Sequence, residues 1–269
     1  MKGLIAIFNI RLRQIMTYRA AALAGIGTQF FFGLVMVMIY EGFFRSSLGQ
    51  NLELPMTMPQ TVTYIWLGQG LLGLLPWNGD REIQGMIRTG DFAYELVRPL
   101  NMYFYWFSRI LAQRIGSTLV RAIPLFVCVN LLFPQKLEMS APISGLGFML
   151  FVSSLIVAIV LGATISNIIT IMVLYTLGDG IDRFLPAIVT LFSGMVIPLS
   201  FFPEWSQPIF RFLPFSGLVD APYKFYLGIY GIQEFWGIIL HQITWVLLIL
   251  LLGLGLLGRA SKRIVIQGG

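Results

Sequence analysis

The densest chemistry in the sequence lies between Pro76 and Pro99, PWNGDREIQGMIRTGDFAYELVRP. Asp80, Arg81, Glu82, Arg88, Asp91, Glu95 and Arg98 gather there, in a chain of 269 residues with 18 Lys and Arg and 12 Asp and Glu in all. Charge is expelled from hydrocarbon, so this stretch needs water or another protein around it. Ile83, Met86 and Ile87 recur inside it at i, i+3 and i+4, the spacing of one helix face. The pattern predicts a short amphipathic helix, a break at Thr89-Gly90, and a second helical turn capped by Asp91 and stopped before Pro99. Such a helix can rest on lipid headgroups or dock a soluble partner, and docking is the sharper expectation.

Other chemistry-bearing residues are sparse. Arg114, Ser117 and Arg121 form a stripe at i, i+3 and i+7. An intramembrane cation costs ~2.5–3.5 kcal/mol even on the mild insertion scale. Arg121 therefore either snorkels to the cytoplasmic headgroups or lines an inner-leaflet cavity that attracts an anionic headgroup. His241, the single histidine, has no membrane carboxylate beside it in sequence and reads as a packing residue before a proton relay. Asp179 and Asp182 flank Gly180 and read as turn chemistry before a metal pair. A single cysteine, Cys128, excludes an intrachain disulfide and a cysteine metal cluster. No Ser-His-Asp set, HExxH or cysteine cluster occurs, so no catalytic, cofactor-binding or metal residues are expected. None of the four lysines sits in a G-x-x-x-x-G-K-[ST] loop, which is what would cradle nucleotide phosphates. The +6 net charge needs no nucleic acid to explain it.

The elements around these residues follow from composition. Apolar residues make up 57% of the chain, charged residues only 11%, and mean hydropathy is +0.81. That balance excludes an ordinary soluble domain and predicts an all-α polytopic membrane protein, a single transmembrane domain over 1–269. Residues 2–18 read as an amphipathic interfacial helix with Leu4, Phe8, Leu12 and Ile15 on one face and Arg11 awkwardly at its edge. Arg11, Arg13 and Arg19 also argue against a cleaved signal. Six membrane helices are expected at 20–40, 61–75, 102–133, 143–177, 183–199 and 236–257, with a cytoplasmic loop at 76–100. The run 143–177 exceeds one bilayer thickness, so it is tilted, kinked or protruding. Thirteen basic residues fall on the side of the termini and the even-numbered loops. Only Arg45, Lys136, Arg211 and Lys224 fall on the other, which makes the termini cytoplasmic.

Residues 200–235 are aromatic-rich and broken by Pro203, Pro208, Pro214 and Pro222. They are expected to dip into the outer leaflet as re-entrant helices, or to lie on it as a lid, with Trp205, Phe210, Tyr223, Tyr226 and Tyr230 at the interface. Ser154, Ala158, Gly162 and Ser166 make a row of small residues that suits close helix packing, within the subunit or between subunits. Phe31 and Met38, with Phe30, Phe32 and Met36, either line a path for hydrophobic or amphiphilic cargo or face lipid.

Taken together these parts resemble the membrane subunits of ABC-2-type transporters, the bacterial six-span branch without a fused ATPase. The resemblance rests on Glu82-Ile83-Gln84-Gly85, on Glu95-Leu96-Val97-Arg98-Pro99-Leu100, and on Pro198-Leu199-Ser200-Phe201-Phe202-Pro203 continuing through Leu213-Pro214-Phe215 to Pro222 and Leu227-Gly228. It implies a cytoplasmic coupling helix, with Asp80, Arg81, Glu82, Ile83, Gly85, Met86, Ile87, Arg88, Glu95 and Arg98 as its contact residues. Its partners would be two separate nucleotide-binding ATPase subunits, carrying ATP and Mg, and a second membrane subunit, homo- or heteromeric. Arg114, Ser117, Arg121, Phe31 and Met38 are the expected substrate path of an exporter in the bacterial inner membrane. An ion-gradient-driven secondary transporter and a membrane-embedded enzyme are the rival classes.

Overall fold

In hydrocarbon every backbone N–H and C=O must find a partner within the chain, and a helix supplies it within one segment. The computed structural model is accordingly helical, with no strand among the described residues. Those residues are 2–17, 19–46, 53–91, 100–133, 137–176 and 180–263, with 19–24, 181–183 and 262–263 described by their backbone alone. The second helical turn expected before Pro99, with Glu95 and Arg98, lies outside them, as does Asp179.

Four helices are long and apolar enough to cross a bilayer: α2 (Arg19–Arg45), α5 (Met102–Leu132), α6 (Gly145–Thr176) and α10 (Ile232–Arg263). The runs expected to span at 61–75 and 183–199 form shorter helices, α3 (Met58–Gly70) and α7 (Ile181–Phe192). At 1.5 Å per residue these reach about 20 and 18 Å, short of the ~30 Å hydrocarbon core. α3 starts at a capping box, in which the Thr57 hydroxyl accepts from the Gln60 N–H while Gln60 Oε1 accepts from the Thr57 N–H. It ends at Gly70, and a 3₁₀ turn over Leu72–Leu74 follows, with Leu71, Leu74 and Leu75 still in the core.

α1 (Lys2–Thr17) packs along the first half of α5, with Leu12 and Ile15 against Gly116 and Leu4 and Ile7 in the apolar cluster at that end. α4 (Arg81–Thr89) is the short helix between α3 and α5. The chain from Leu199 to Tyr226 forms three 3₁₀ turns and two brief helices, α8 (Gln207–Phe212) and α9 (Asp220–Tyr226). α9 lies against α6 and α3. Tyr223 and Tyr226 are therefore core residues and not interfacial ones: their hydroxyls donate to the Leu67 and Ser140 carbonyls at 3.2 and 3.0 Å. Phe210 is buried too, whereas Trp205 is exposed.

The small-residue row on α6 packs within the chain. Ser154 donates to Gln242 Oε1 on α10 at 3.3 Å, Gly162 lies under the Leu74 carbonyl, and Ser166 receives Arg114. His241 is a packing histidine, its Nε2 3.2 Å from the Phe212 carbonyl and 3.1 Å from Trp245 Nε1.

Candidate functional site

α4 forms where the sequence predicts it, and the reason is local. Asp80 caps it, accepting from the N–H groups of Glu82 at 3.1 Å and Ile83 at 3.4 Å. Gly90 closes it at φ 85°, a left-handed conformation that costs glycine nothing. Ile83 and Ile87 point inward, into a cluster with Tyr103, Trp106, Ile171 and Leu257, so three long helices hold that face. Arg81, Glu82 and Arg88 lie on the exposed face, Gly85 and Met86 at its edges. A methyl group added at Gly85 would meet nothing.

The start of α4 is locked by charge. Asp80 is 1% exposed; its carboxylate takes Arg109 Nε from α5 at 2.8 Å, and its N–H donates to Thr170 Oγ1 of α6 at 3.0 Å. Arg109 also reaches Glu82 Oε2 at 2.6 Å, and Arg11 of α1 pairs with the same oxygen at 3.2 Å. Arg11 thus sits at the edge of an apolar face because that face packs beside Glu82. Two cations from two helices converge on the first turn of α4. The first turn of α4 is thus tied by side chains to α1, α5 and α6.

The residues read as a path are dispersed. Arg114, from α5, is buried and donates to the carbonyls of Gly73, Leu75 and Asn78 and, at 2.5 Å, to Ser166 Oγ. It ties the segment after α3 to α6. Ser117 donates to the Arg114 carbonyl at 3.3 Å. Arg121 is half-buried against Gly25 of α2, and its Nε finds no hydrogen-bond partner among the described residues. Phe31 and Met38 are 63% and 67% exposed on the outward side of α2, away from Arg114. The five residues therefore do not meet at one surface of this chain.

Sequence reasoning missed the Arg109 clamp, whose partners lie far away along the chain. It also missed a buried pair between Asp220 and Lys224 on α9, 2.6 Å apart. Their i, i+4 spacing was the available signal. Among the described residues no group of three or more His, Cys, Asp or Glu could hold a metal ion.

Residues 56–268, from the start of α3 through α10, match a family described as ABC-2 family transporter protein. The chain belongs to the ABC-2 transporter family. It is a multi-pass membrane protein and a transmembrane subunit of an ABC transporter, a transport component that is not itself catalytic. ABC-2 permeases generally work in complexes with ATPase partners. No curated protein matches the chain.

Proposed function

We propose that this ABC-2 subunit is the permease of an exporter whose ATP and Mg are bound by two separate nucleotide-binding subunits, and that α4 receives their motion. The observation that carries this reading is the asymmetry of α4. One face is fixed to α5, α6 and α10 by Ile83, Ile87 and the Asp80–Arg109 pair, and the other, with Arg81, Glu82 and Arg88, is exposed. A helix that only covered lipid headgroups would have no use for rigid attachment to three long helices. A lever needs both a rigid root and a free contact face.

In this reading α3 and α7 complete six spans by packing inside the bundle, and residues 200–235 lie at the extracytoplasmic side, partly re-entrant. Both termini lie in the cytoplasm of a bacterial inner membrane. A second membrane subunit, identical or a sister, closes the pathway, and the exposed Phe31, Phe32 and Met38 of α2 suit a hydrophobic or amphiphilic cargo beside it.

The test is to purify the tagged chain from native membranes in mild detergent. A P-loop ATPase should accompany it in stoichiometric amount, and Gly85→Trp or Arg88→Glu should abolish transport without lowering the yield of the chain. Transport that survives deletion of every co-purifying ATPase would instead make it an ion-driven carrier.

A further inference from the structure

After α9 the chain reverses at Gly228, φ 71°, and the N–H groups of Ile229 and Tyr230 return to the Lys224 carbonyl at 2.9 and 3.1 Å. This turn sets the Tyr230 ring 5.1 Å from Lys224 Nζ. On its other side Nζ donates to Asp220 Oδ2, and the two side chains are 6% and 5% exposed. Beside the pair opens a cavity of about 510 Å³, walled by Leu199, Phe210, Ala221 and Ile238 and edged by Arg211 and Glu234.

The unused hydrogen-bonding capacity of this cavity is one-sided. Asp220 is largely filled: besides Lys224 it accepts from the Leu199 N–H at 3.1 Å, and the Tyr64 hydroxyl, whose proton it shares with the Gly194 carbonyl, lies 3.3 Å away. Glu234 accepts from the Gly231 N–H at 2.8 Å through one of its oxygens. The Lys224 ammonium has three N–H donors, of which Asp220 takes one. Arg211 brings a guanidinium that forms no ion pair among the described residues. Cationic donors are left over where carboxylate oxygens are mostly taken, in a space otherwise lined by apolar side chains together with Gln207, Ser216 and His241.

We propose that this cavity binds an amphiphile through an oxyanion, a phosphate or a carboxylate, held between Lys224 and Arg211 with its apolar part against Phe210 and Ile238. The site lies outside the stripe of Arg114, Ser117 and Arg121, and it does not depend on which ATPase drives the complex. Phosphate and carboxylate suit these donors because charge-assisted hydrogen bonds to oxyanions are the strong ones.

The test titrates short-chain phosphatidylglycerol into the purified protein in neutral detergent and follows binding by native mass spectrometry. Saturable binding is expected, with short-chain diacylglycerol at least roughly tenfold weaker, since it has the acyl chains and no oxyanion. Arg211→Gln, at an exposed position, should weaken phosphatidylglycerol by roughly tenfold. Lys224→Gln alone would strand Asp220, so the Asp220→Asn/Lys224→Gln pair is the second variant and should lose binding similarly. Displacement by millimolar inorganic phosphate would make any oxyanion a ligand, and resistance to it would make the lipid headgroup the ligand; both agree with the proposal. Equal affinity for the two lipids, or variants that keep phosphatidylglycerol affinity within about twofold, would overturn it.

Discussion

Asp80 caps α4, neutralises Arg109 and, through its backbone, ties the helix to Thr170. Removing it leaves a guanidinium that is only 11% exposed without its main partner. Asp80→Ala should therefore destabilise the protein by about 3–5 kcal/mol, read as a lowered midpoint in thermal unfolding in detergent. Glu82→Gln should cost under about 1 kcal/mol in the same assay, because Glu82 is 56% exposed and its pairs are screened. Arg114 and Arg121 differ in the same way despite sharing a stripe. Arg114→Ala orphans three carbonyls and Ser166, and should cost about 3 kcal/mol or more. Arg121→Gln should leave the unfolding midpoint unchanged and lower transport if Arg121 meets a headgroup; unchanged transport would reduce it to packing. The local members of these constellations were legible: the charge cluster holding Asp80 and Glu82, Gly90 as a break, the stripe from Arg114. Their distant partners were not. Nothing in a linear pattern joins Arg11 to Glu82 or Arg114 to the carbonyls after α3, since those contacts exist only once helices are laid side by side.

For the elements, α4 was legible because its signals are short-range: Ile83, Met86 and Ile87 on one face and a glycine stop; its cap at Asp80 was missed, the only cap expected being Asp91 in the next turn. Gly85 offers a clean separation of folding from contact. Gly85→Ala meets open space and improves helix propensity by about 1 kcal/mol, so stability should hold or rise. Gly85→Trp should leave folding intact while abolishing ATP-dependent transport, measured in vesicles loaded with the partner subunit. The segment from Leu199 to Tyr226 was misread for a physical reason. Aromatics among prolines look interfacial when their partners are invisible, yet Tyr223 and Tyr226 reach the Leu67 and Ser140 carbonyls and so belong inside. The apolar runs at 61–75 and 183–199 were correctly seen as apolar, but helix length is set by where the turn stops, and both helices stop early, at Gly70 and Phe192.

Across the whole molecule, composition alone excluded a soluble protein, and four long apolar helices bear that out. The bundle is arranged so that one end is built for stiffness. There α1, α4, α5, α6 and α10 meet around Ile83, Ile87, Tyr103 and Trp106, under the crossed pairs of Arg11 and Arg109. The other end has an apolar core of its own around Tyr64, Leu67, Leu161, Tyr223 and Phe225, crossed by polar links from Tyr64 to the Gly194 carbonyl and from Gln242 to the Gly217 carbonyl. Motion applied at α4 should pass through the long helices as rigid bodies and be absorbed in the short turns and helices of the Leu199–Tyr226 segment. Hydrogen exchange should show faster exchange in α8 and α9 on ATP addition to the complex, with α4 amides unchanged.

The account rests on α4 facing the cytoplasm with its Gly85 side free to be covered by a nucleotide-binding subunit. Labelling of Gly85→Cys, in a Cys128→Ser background, with a membrane-impermeant maleimide tests this most directly. The account predicts no reaction in intact cells, full reaction in inverted vesicles stripped of peripheral proteins, and protection when the ATPase is restored. Reaction from the outside of intact cells would contradict it.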